Sequence, residues 1–264
     1  AIDGTKIKRA SELLGLMNVV FFSPEDLSII KNGPSERRRF VDMELCQLDP
    51  MYLHHLNNYN KIINQRNKLL KDMYMNPSLK GTLDVWDIQL VEFGKKIIER
   101  RTAFVDQMNT IIGGIHDSLS GGKEKLLLSY EHRDDFAFIA NEIDIRKFGS
   151  QGQQRTAALS LKLSEIELVK TMTKDTPILL LDDVLSELDS NRQNYLLNSI
   201  GDIQTIVTCT GLDEFINNRI NINKVFKVTN GTVSHIMCGD EAAEMREYGR
   251  AELWWRSDSD IKGS

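Results

Sequence analysis

The sequence predicts an α/β fold in which a mostly parallel sheet with flanking helices is interrupted by an inserted helical lobe. Three observations lead there. Short apolar runs of strand character fall at 18–22, 126–130, 136–139, 178–181, 205–209 and 225–228. Helical patterns at 152–172 and 190–200 alternate with the later runs, the mark of a parallel sheet. Residues 34–118, by contrast, carry helical spacing almost without a break.

In chain order, NVVFF at 18–22 is β-branched and aromatic until Pro24 ends it, so it reads as a buried strand and a turn. Ser35 is positioned to cap ERRRFVDMELCQL, and Asp49-Pro50 opens a second helix with a capping side chain followed by proline. Leu53, Leu56, Asn60, Ile63, Asn67 and Leu70 then share one predicted face. A loop at 76–81 precedes a single long helix from Thr82 to about Ile115, with Trp86, Leu90, Phe93, Ile97, Phe104, Met108 and Ile111 along it. These helices form either a lobe or a plain helical bundle. Asn230-Gly231 marks a hairpin. The expected division is 1–33 and 119–235 in one α/β lobe, 34–118 in the helical lobe, and 236–264 as an unassigned tail.

With 264 residues, 41% hydrophobic and 27% charged, the chain has ample material for a core and no apolar run long enough for a membrane helix. Three separated cysteines without a C-x-x-C pair exclude a zinc knuckle and fit a reducing cytoplasm. A net charge of −5 means that any nucleic acid must be met by local patches. The opening AIDGTKIKRASELL has neither an initiator Met nor a signal segment and reads as the interior of a longer chain.

Two motifs carry chemistry. PILLLDDV drives an apolar strand into two acids, which a parallel sheet would present at its ligand-binding edge. In a Walker-B arrangement Asp182 holds Mg²⁺ and Asp183 orients or deprotonates the attacking water. Paired acids also serve simply as helix caps. SQGQQRT places Ser150 and Gly152 at the start of an unbroken helix, where free N–H groups favour an anion, although Ser150 alone is equally an ordinary cap. The order of the two motifs, with SELD (186–189) after them, is that of ABC-type ATPases, in which an S-x-G-Q signature reaches the γ-phosphate of a partner's nucleotide. LSGGK at 119–123 looks like such a signature but has no helix behind it, and reads as a glycine stop.

The segments NVVFFSPEDLSIIKNGPSERRRFVDMEL, HRDD, FGSQGQQRTAALSLKLSEIEL, PILLLDDVLSELDSNRQ and VTNGTV together resemble the RecF family of bacterial gap-repair proteins, an SMC-like group of ABC ATPases. The resemblance implies an ABC-type ATPase lobe, ATP and Mg²⁺ as cofactors, and an ATP-dependent homodimer on duplex DNA and its junctions with single strands. RecR would be the partner, with RecO and RecA engaged indirectly. It assigns Asp182 to the metal and Asp183 to catalysis. Ser150, Gly152 and Gln153 would meet the opposite subunit's nucleotide, Arg155 would make a phosphate or a cross-dimer contact, Asp189 would lie at the dimer seam, and Thr210 stands where many ABC enzymes have histidine. No G-x-x-x-x-G-K-[ST] loop occurs, so an N-terminal truncation is expected, and the abrupt SYEHRDD join implies a missing internal segment. Arg37 and Arg38, with Lys95, Lys96, Arg100 and Arg101, are the candidate DNA contacts, or else solvated faces paired with nearby acids, with Arg37 and Arg38 alternatively bracing the helical lobe against the ATPase lobe. The competing reading is a binding module without turnover.

Overall fold

Helix α6 (Gln151–Thr173) is buried over most of its length because it lies between two hydrophobic cores. The computed structural model describes residues 14–131, 135–209, 224–229, 231–236 and 252–255. Leu159, Leu163, Ile166 and Val169 of α6 join the core beneath β1 (Val19–Phe22), β5 (Ile178–Asp182) and β6 (Thr205–Cys209). Ala157, Ala158, Leu161 and Leu168 turn the other way, toward α1 (Leu27–Lys31), α2 (Pro34–Leu48) and α4 (Leu83–Ser120). Helical spacing of apolar residues on both sides is what lets one helix serve two cores.

β1, β5 and β6 pair in parallel. They are extended antiparallel by β9 (Glu252–Trp255), β7 (Lys224–Thr229) and β8 (Thr232–Ile236), giving the six-strand order β1-β5-β6-β9-β7-β8. Among the described residues the parallel part comprises three strands, and a strand from the unassigned tail adjoins it. β2 (Leu126–Glu131), β3 (Asp135–Ala140) and β4 (Ile143–Asp144) make a separate three-stranded antiparallel sheet against α4. Asn141 and Glu142, with φ of 47° and 68°, form the tight β3–β4 turn, and α5 (Ile145–Phe148) follows. Pairing of β2 with β3 extends to Glu131 opposite Asp135, so that only residues 132–134 connect them.

α3 (Pro50–Asp72) and α4 form an antiparallel hairpin, tied by Arg66–Asp87 at 2.5 Å and Arg100–Asp49 at 2.8 Å. Asp49 caps α3 as expected, accepting from the N–H groups of Met51 and Tyr52. Ser35 does not cap α2: Gly33 takes that position and Pro34 the first turn, where its fixed φ already suits a helix. The buried face of α3 carries Tyr52 and Ile62, whereas Asn60, Asn67 and Leu70 are exposed. The predicted stripe is thus rotated, because α3 meets one partner helix along a narrow seam and not a broad core. α4 reaches Ser120, ending at Gly121 and Gly122 with φ of 67° and 76°, the glycine stop read from the sequence. Among the described residues no helix is long and apolar enough to cross a membrane.

The helical hairpin is continuous with the rest at its base. Phe40, Leu45, Tyr52, Ile97 and Phe104 share one core with Phe136, Phe138 and Leu161. Charges are buried there in matched sets. Lys162 of α6 pairs with Glu165 and sits 5.7 Å from the Phe22 ring and 5.4 Å from the Phe40 ring, so both aromatic faces help to hold its charge. Burial, followed by the negative charge of Glu165, pushes the neighbouring Glu44 carboxyl well above its usual range.

Arg37 is 2% exposed and locks α2 to β3. Its Nε and Nη2 donate to the two Asp135 carboxylate oxygens at 2.8 and 2.9 Å, and Nη1 donates to the Asn32 carbonyl at 2.8 Å. Burial alone would raise the Asp135 pKa, but the guanidinium fork and the Phe136 N–H outweigh it and hold the carboxyl below its ordinary value. The contribution of the pair is therefore complete above about pH 4 and is lost as acid carries Asp135 through its lower folded pKa. Arg37→Ala strands a buried carboxylate and is expected to cost about 3–5 kcal/mol in urea unfolding at neutral pH. The difference from the parent chain should narrow below about pH 4.

Candidate functional site

Asp182 ends β5 directly opposite Thr208 of β6, at the C-terminal edge of the parallel strands. The Thr208 hydroxyl donates to Asp182 Oδ1 at 2.5 Å, fixing the orientation of an exposed carboxylate. Asp183 is the first residue beyond the strand and has φ of 51°, a left-handed conformation that costs a side-chain-bearing residue on the order of 1 kcal/mol. Its N–H donates to the Thr208 carbonyl at 3.1 Å. The Ser186 hydroxyl lies 2.8 Å from the Asp183 carbonyl and 3.2 Å from its Oδ1. Backbone strain at the second acid of the pair is thus held by the loop that follows it.

The start of α6 is a complete capping box. Gln153 N–H donates to Ser150 Oγ at 3.2 Å, and Ser150 N–H donates to Gln153 Oε1 at 2.8 Å. The remaining amide group of Gln153 donates to Glu124 Oε1 at 2.9 Å, so this side chain is spent within its own subunit. Ser150 differs. Its oxygen accepts in the cap, leaving the hydroxyl hydrogen, together with the N–H groups of Gln151 and Gly152, as donors that the cap does not use.

The two glycines of FGSQG have different causes. A Cβ at Gly149 would fall 2.5 Å from the Ile145 carbonyl oxygen, so the close turn at the end of α5 demands glycine there. At Gly152 the closest neighbour would be Ser150 Oγ at 3.8 Å, which leaves room for a side chain. Nothing inside the subunit requires that residue to be glycine.

Behind the box stands His116, fully buried in the last turns of α4. Its Nδ1 is 2.9 Å from Ser160 Oγ and its Nε2 is 3.2 Å from Glu124 Oε2. Burial, the largest influence, pulls the His116 pKa below its usual value against the opposing pull of Glu124. On the other side of the turn, Arg155 pairs with Glu187 at 3.1 Å, both side chains being about half exposed. Asp189 caps α7 (Ser190–Ser199) by accepting from the N–H groups of Asn191 and Arg192, and also pairs with the Arg192 guanidinium. Arg192 Nη2 donates to Thr156 Oγ1 at 2.6 Å, whose hydroxyl in turn reaches the Gly152 carbonyl at 2.7 Å. The loop after β5 and the first turn of α6 are consequently tied twice.

The basic residues divide. Arg37 and Arg101 face the interior, 2% and 7% exposed, and Arg101 donates to Asp42 at 2.7 Å and to Tyr52 at 2.9 Å. Each guanidinium is thus already matched by a carboxylate within the chain. Lys95 and Lys96 lie on the outer face of α4, paired with Glu99 at 3.8 Å and Glu92 at 2.9 Å. Arg100 is a third exposed, and Arg38 is half-buried beside a cleft of about 490 Å³ that Arg39, Tyr59 and Arg101 also line. Thr210 lies outside the described residues.

Sequence reasoning missed Glu124, His116, Thr208 and Arg192. Each acts through a contact with a residue distant in the chain, and only Arg192, three residues after Asp189 at a helix start, left a local signal. The two ties at α6 differ in burial, and that difference is measurable. Arg192→Ala is expected to lower stability by about 1–2 kcal/mol, because it frees the Asp189 and Thr156 partners. Arg155→Ala should cost about 0.5 kcal/mol or less, since the exposed pair with Glu187 is screened by water. Urea unfolding of the two variants side by side checks both values.

No family model matches the chain. It is 61% identical to the DNA replication and repair protein RecF of Lachnospira eligens, covering 88% of this chain and 73% of that protein. It is 60% identical to RecF of Lachnoclostridium phytofermentans over the same shares. Among solved structures, the recombination mediator protein RecF-ATPrS in the RecFOR pathway superposes with a TM-score of 0.78 at 33% identity, covering 89% of this chain and 72% of that one. The Smc head domain of Pyrococcus furiosus, at 18% identity and a TM-score of 0.50, shares the fold. With such identity spread over nearly nine tenths of its length, and with the α/β architecture of those ATPase heads, this chain belongs to the RecF family of DNA replication and repair proteins.

Proposed function

We propose that the intact RecF-family protein, in which this chain supplies the Ser150 turn and the Asp182 edge, works as an ATP-dependent, dimerising DNA-binding protein of recombinational gap repair, a slow ATPase that helps to deliver RecA to single-strand gaps. RecR is the proposed direct partner, with RecO acting indirectly, in a cytoplasmic assembly. The observation that carries this reading is the exposed start of α6. Gly152 has open space where a side chain would fit, and the Ser150 hydroxyl and two N–H groups are unspent by the cap. Glycine in a helix costs on the order of 1 kcal/mol relative to alanine, and close approach of an outside phosphate supplies the reason that the subunit itself does not.

On this reading each subunit contributes two unlike halves. Asp182 and Asp183 serve the subunit's own nucleotide, while Ser150 and Gly152 serve the nucleotide of the other subunit. Arg155 can exchange the exposed Glu187 carboxylate for a phosphate at small cost, because an exposed ion pair is weak. Gln153 acts from behind, as part of the cap. Asp189, at the head of α7, sits at the seam. The donor set at the sheet edge fits Mg²⁺, a hard cation that takes one or two carboxylates and completes its shell with phosphate oxygens and water. Asp182 would hold it, with Thr208 fixing the carboxylate, and the ion would neutralise charge on the phosphates. Asp183 accepts the proton of the attacking water or orients it, in a geometry that its left-handed backbone maintains. Lys95, Lys96 and Arg100, with Arg38, form the proposed DNA-facing set. The exposed partners of Lys95 and Lys96 are exchangeable for phosphates, which would make DNA affinity fall with salt.

The test uses the intact polypeptide with ATP and Mg²⁺. Asp183→Asn should retain ATP-dependent dimerisation while hydrolysis falls by roughly 10²-fold or more. Ser150→Arg should abolish dimerisation without weakening nucleotide binding by the monomer. Sedimentation and phosphate release read the two properties separately. A parent protein that neither dimerises nor hydrolyses under these conditions would remove the proposal.

A further inference from the structure

We infer that Glu124 is a positioning residue for the signature turn: it holds the Gln153 amide so that Ser150 and Gly152 stay aimed outward, and His116 holds Glu124 from behind. Its relevance to nucleotide sharing rests on the reading under Proposed function, but the brace itself is a property of this chain. Glu124 comes three residues after Gly121, just past the segment LSGGK, whose resemblance to a signature is accidental. The left-handed glycines at 121 and 122 turn the chain at the end of α4. The Ser120 hydroxyl accepts from the Glu124 N–H at 3.2 Å, which secures the turn. The carboxylate then divides its oxygens, Oε1 toward Gln153 at 2.9 Å and Oε2 toward His116 at 3.2 Å.

The consequence lies in the bookkeeping of donors. Gln153 has one carbonyl oxygen and one NH₂ group. The oxygen accepts from Ser150 N–H at 2.8 Å, which requires the NH₂ to face the other way, and there it meets Glu124. Without an acceptor at that place the amide could flip, and a flipped amide turns its NH₂ toward the Ser150 N–H and opens the box. Glu124 therefore selects the amide orientation that closes the cap. The same logic extends inward. The Ser160 hydroxyl, 2.7 Å from the Thr156 carbonyl and 2.9 Å from Nδ1 of His116, is shared between these two acceptors, which leaves the hydrogen of the neutral ring on Nε2. Nε2–H then donates to the Glu124 carboxylate at 3.2 Å. This chain of contacts joins the end of the long helix α4 to the first turn of α6, and it is built from side chains 29 residues apart in sequence.

A glutamine at position 124 would preserve both contacts. Its oxygen accepts from Gln153, and its NH₂ donates to Nε2 of the ring's other neutral tautomer, whose Nδ1–H then donates to Ser160 Oγ. Hydrogen exchange in the present chain tests the brace directly. In Glu124→Ala the Ser150 and Gln153 amides should exchange roughly 10-fold faster, the worth of a hydrogen bond to a charged group, with Glu124→Gln close to the parent. Gln153→Met, at a half-buried position that tolerates change, should reproduce the acceleration, and combining it with Glu124→Ala should add nothing further. In the intact polypeptide, Glu124→Ala should weaken ATP-dependent dimerisation by about the same roughly 10-fold, with monomer affinity for ATP unchanged and Glu124→Gln restoring it. Unchanged exchange in both Glu124→Ala and Gln153→Met overturns the inference, as does failure of Glu124→Gln to restore either property. Faster exchange in a protein whose parent does not dimerise with ATP would leave the brace standing and sink the dimer reading instead.

Discussion

Everything in this structure is arranged around the burial of α6. A helix that faces a sheet on one side and a layer of helices on the other has almost no surface left for polar residues, yet α6 carries Ser160, Lys162, Ser164 and Glu165 in its buried length. Each must find a partner or pay the cost of desolvation. The serines bond back to carbonyls four residues earlier, at 2.7 and 2.6 Å. Lys162 and Glu165 pair with each other, and burial beside them raises the pKa of Glu44. Such a helix is held in one register by its polar residues as much as by its apolar ones, since sliding or rotating it would break every one of these contacts at once.

That rigidity is transmitted to the exposed end of the helix. Ser150 and Gly152 stand on the first turn of a rod clamped on all sides, and the turn is further tied by Glu124 on one flank and by Arg192 and Arg155 on the other. The acids at the end of β5 belong to the same core through Leu179 and Leu181, so the two half-sites are fixed relative to one another by packing and not by a flexible linker. On the proposed function, a site matched to a second copy of itself gains from this arrangement, because little ordering remains to be done on association.

The hairpin of α3 and α4 follows a different logic. Near its base it is part of the core, and farther out it is a two-helix seam closed by ion pairs such as Arg66–Asp87. Because α4 is one continuous helix, its final turns carry His116 while its outer part carries Lys95 and Lys96. The basic residues at the base, Arg37 and Arg101, are structural: each is a buried guanidinium whose fork is matched by a carboxylate. Counting arginines could not distinguish these from surface cations, since burial is decided by what packs across from them.

Local pattern was enough for several features. The Asn-Asp-Pro-Gly grammar of caps and stops placed Asp49 as a cap and Gly121 as a terminator, because those signals depend on a few consecutive residues. The strand ending in Asp182 and Asp183, the helix beginning after Ser150, and the family itself were legible for the same reason, with motifs being short and contiguous. Other features were not local. The rotation of the α3 stripe, the split into two sheets, the antiparallel half of the larger sheet with β9 inside it, and the Glu124–Gln153 contact all depend on which surfaces meet. A sequence records what each residue prefers among its neighbours in the chain. Only the tertiary structure decides which distant group it will face, because that choice is made by the packing of whole elements, where many weak contacts outweigh any single preference.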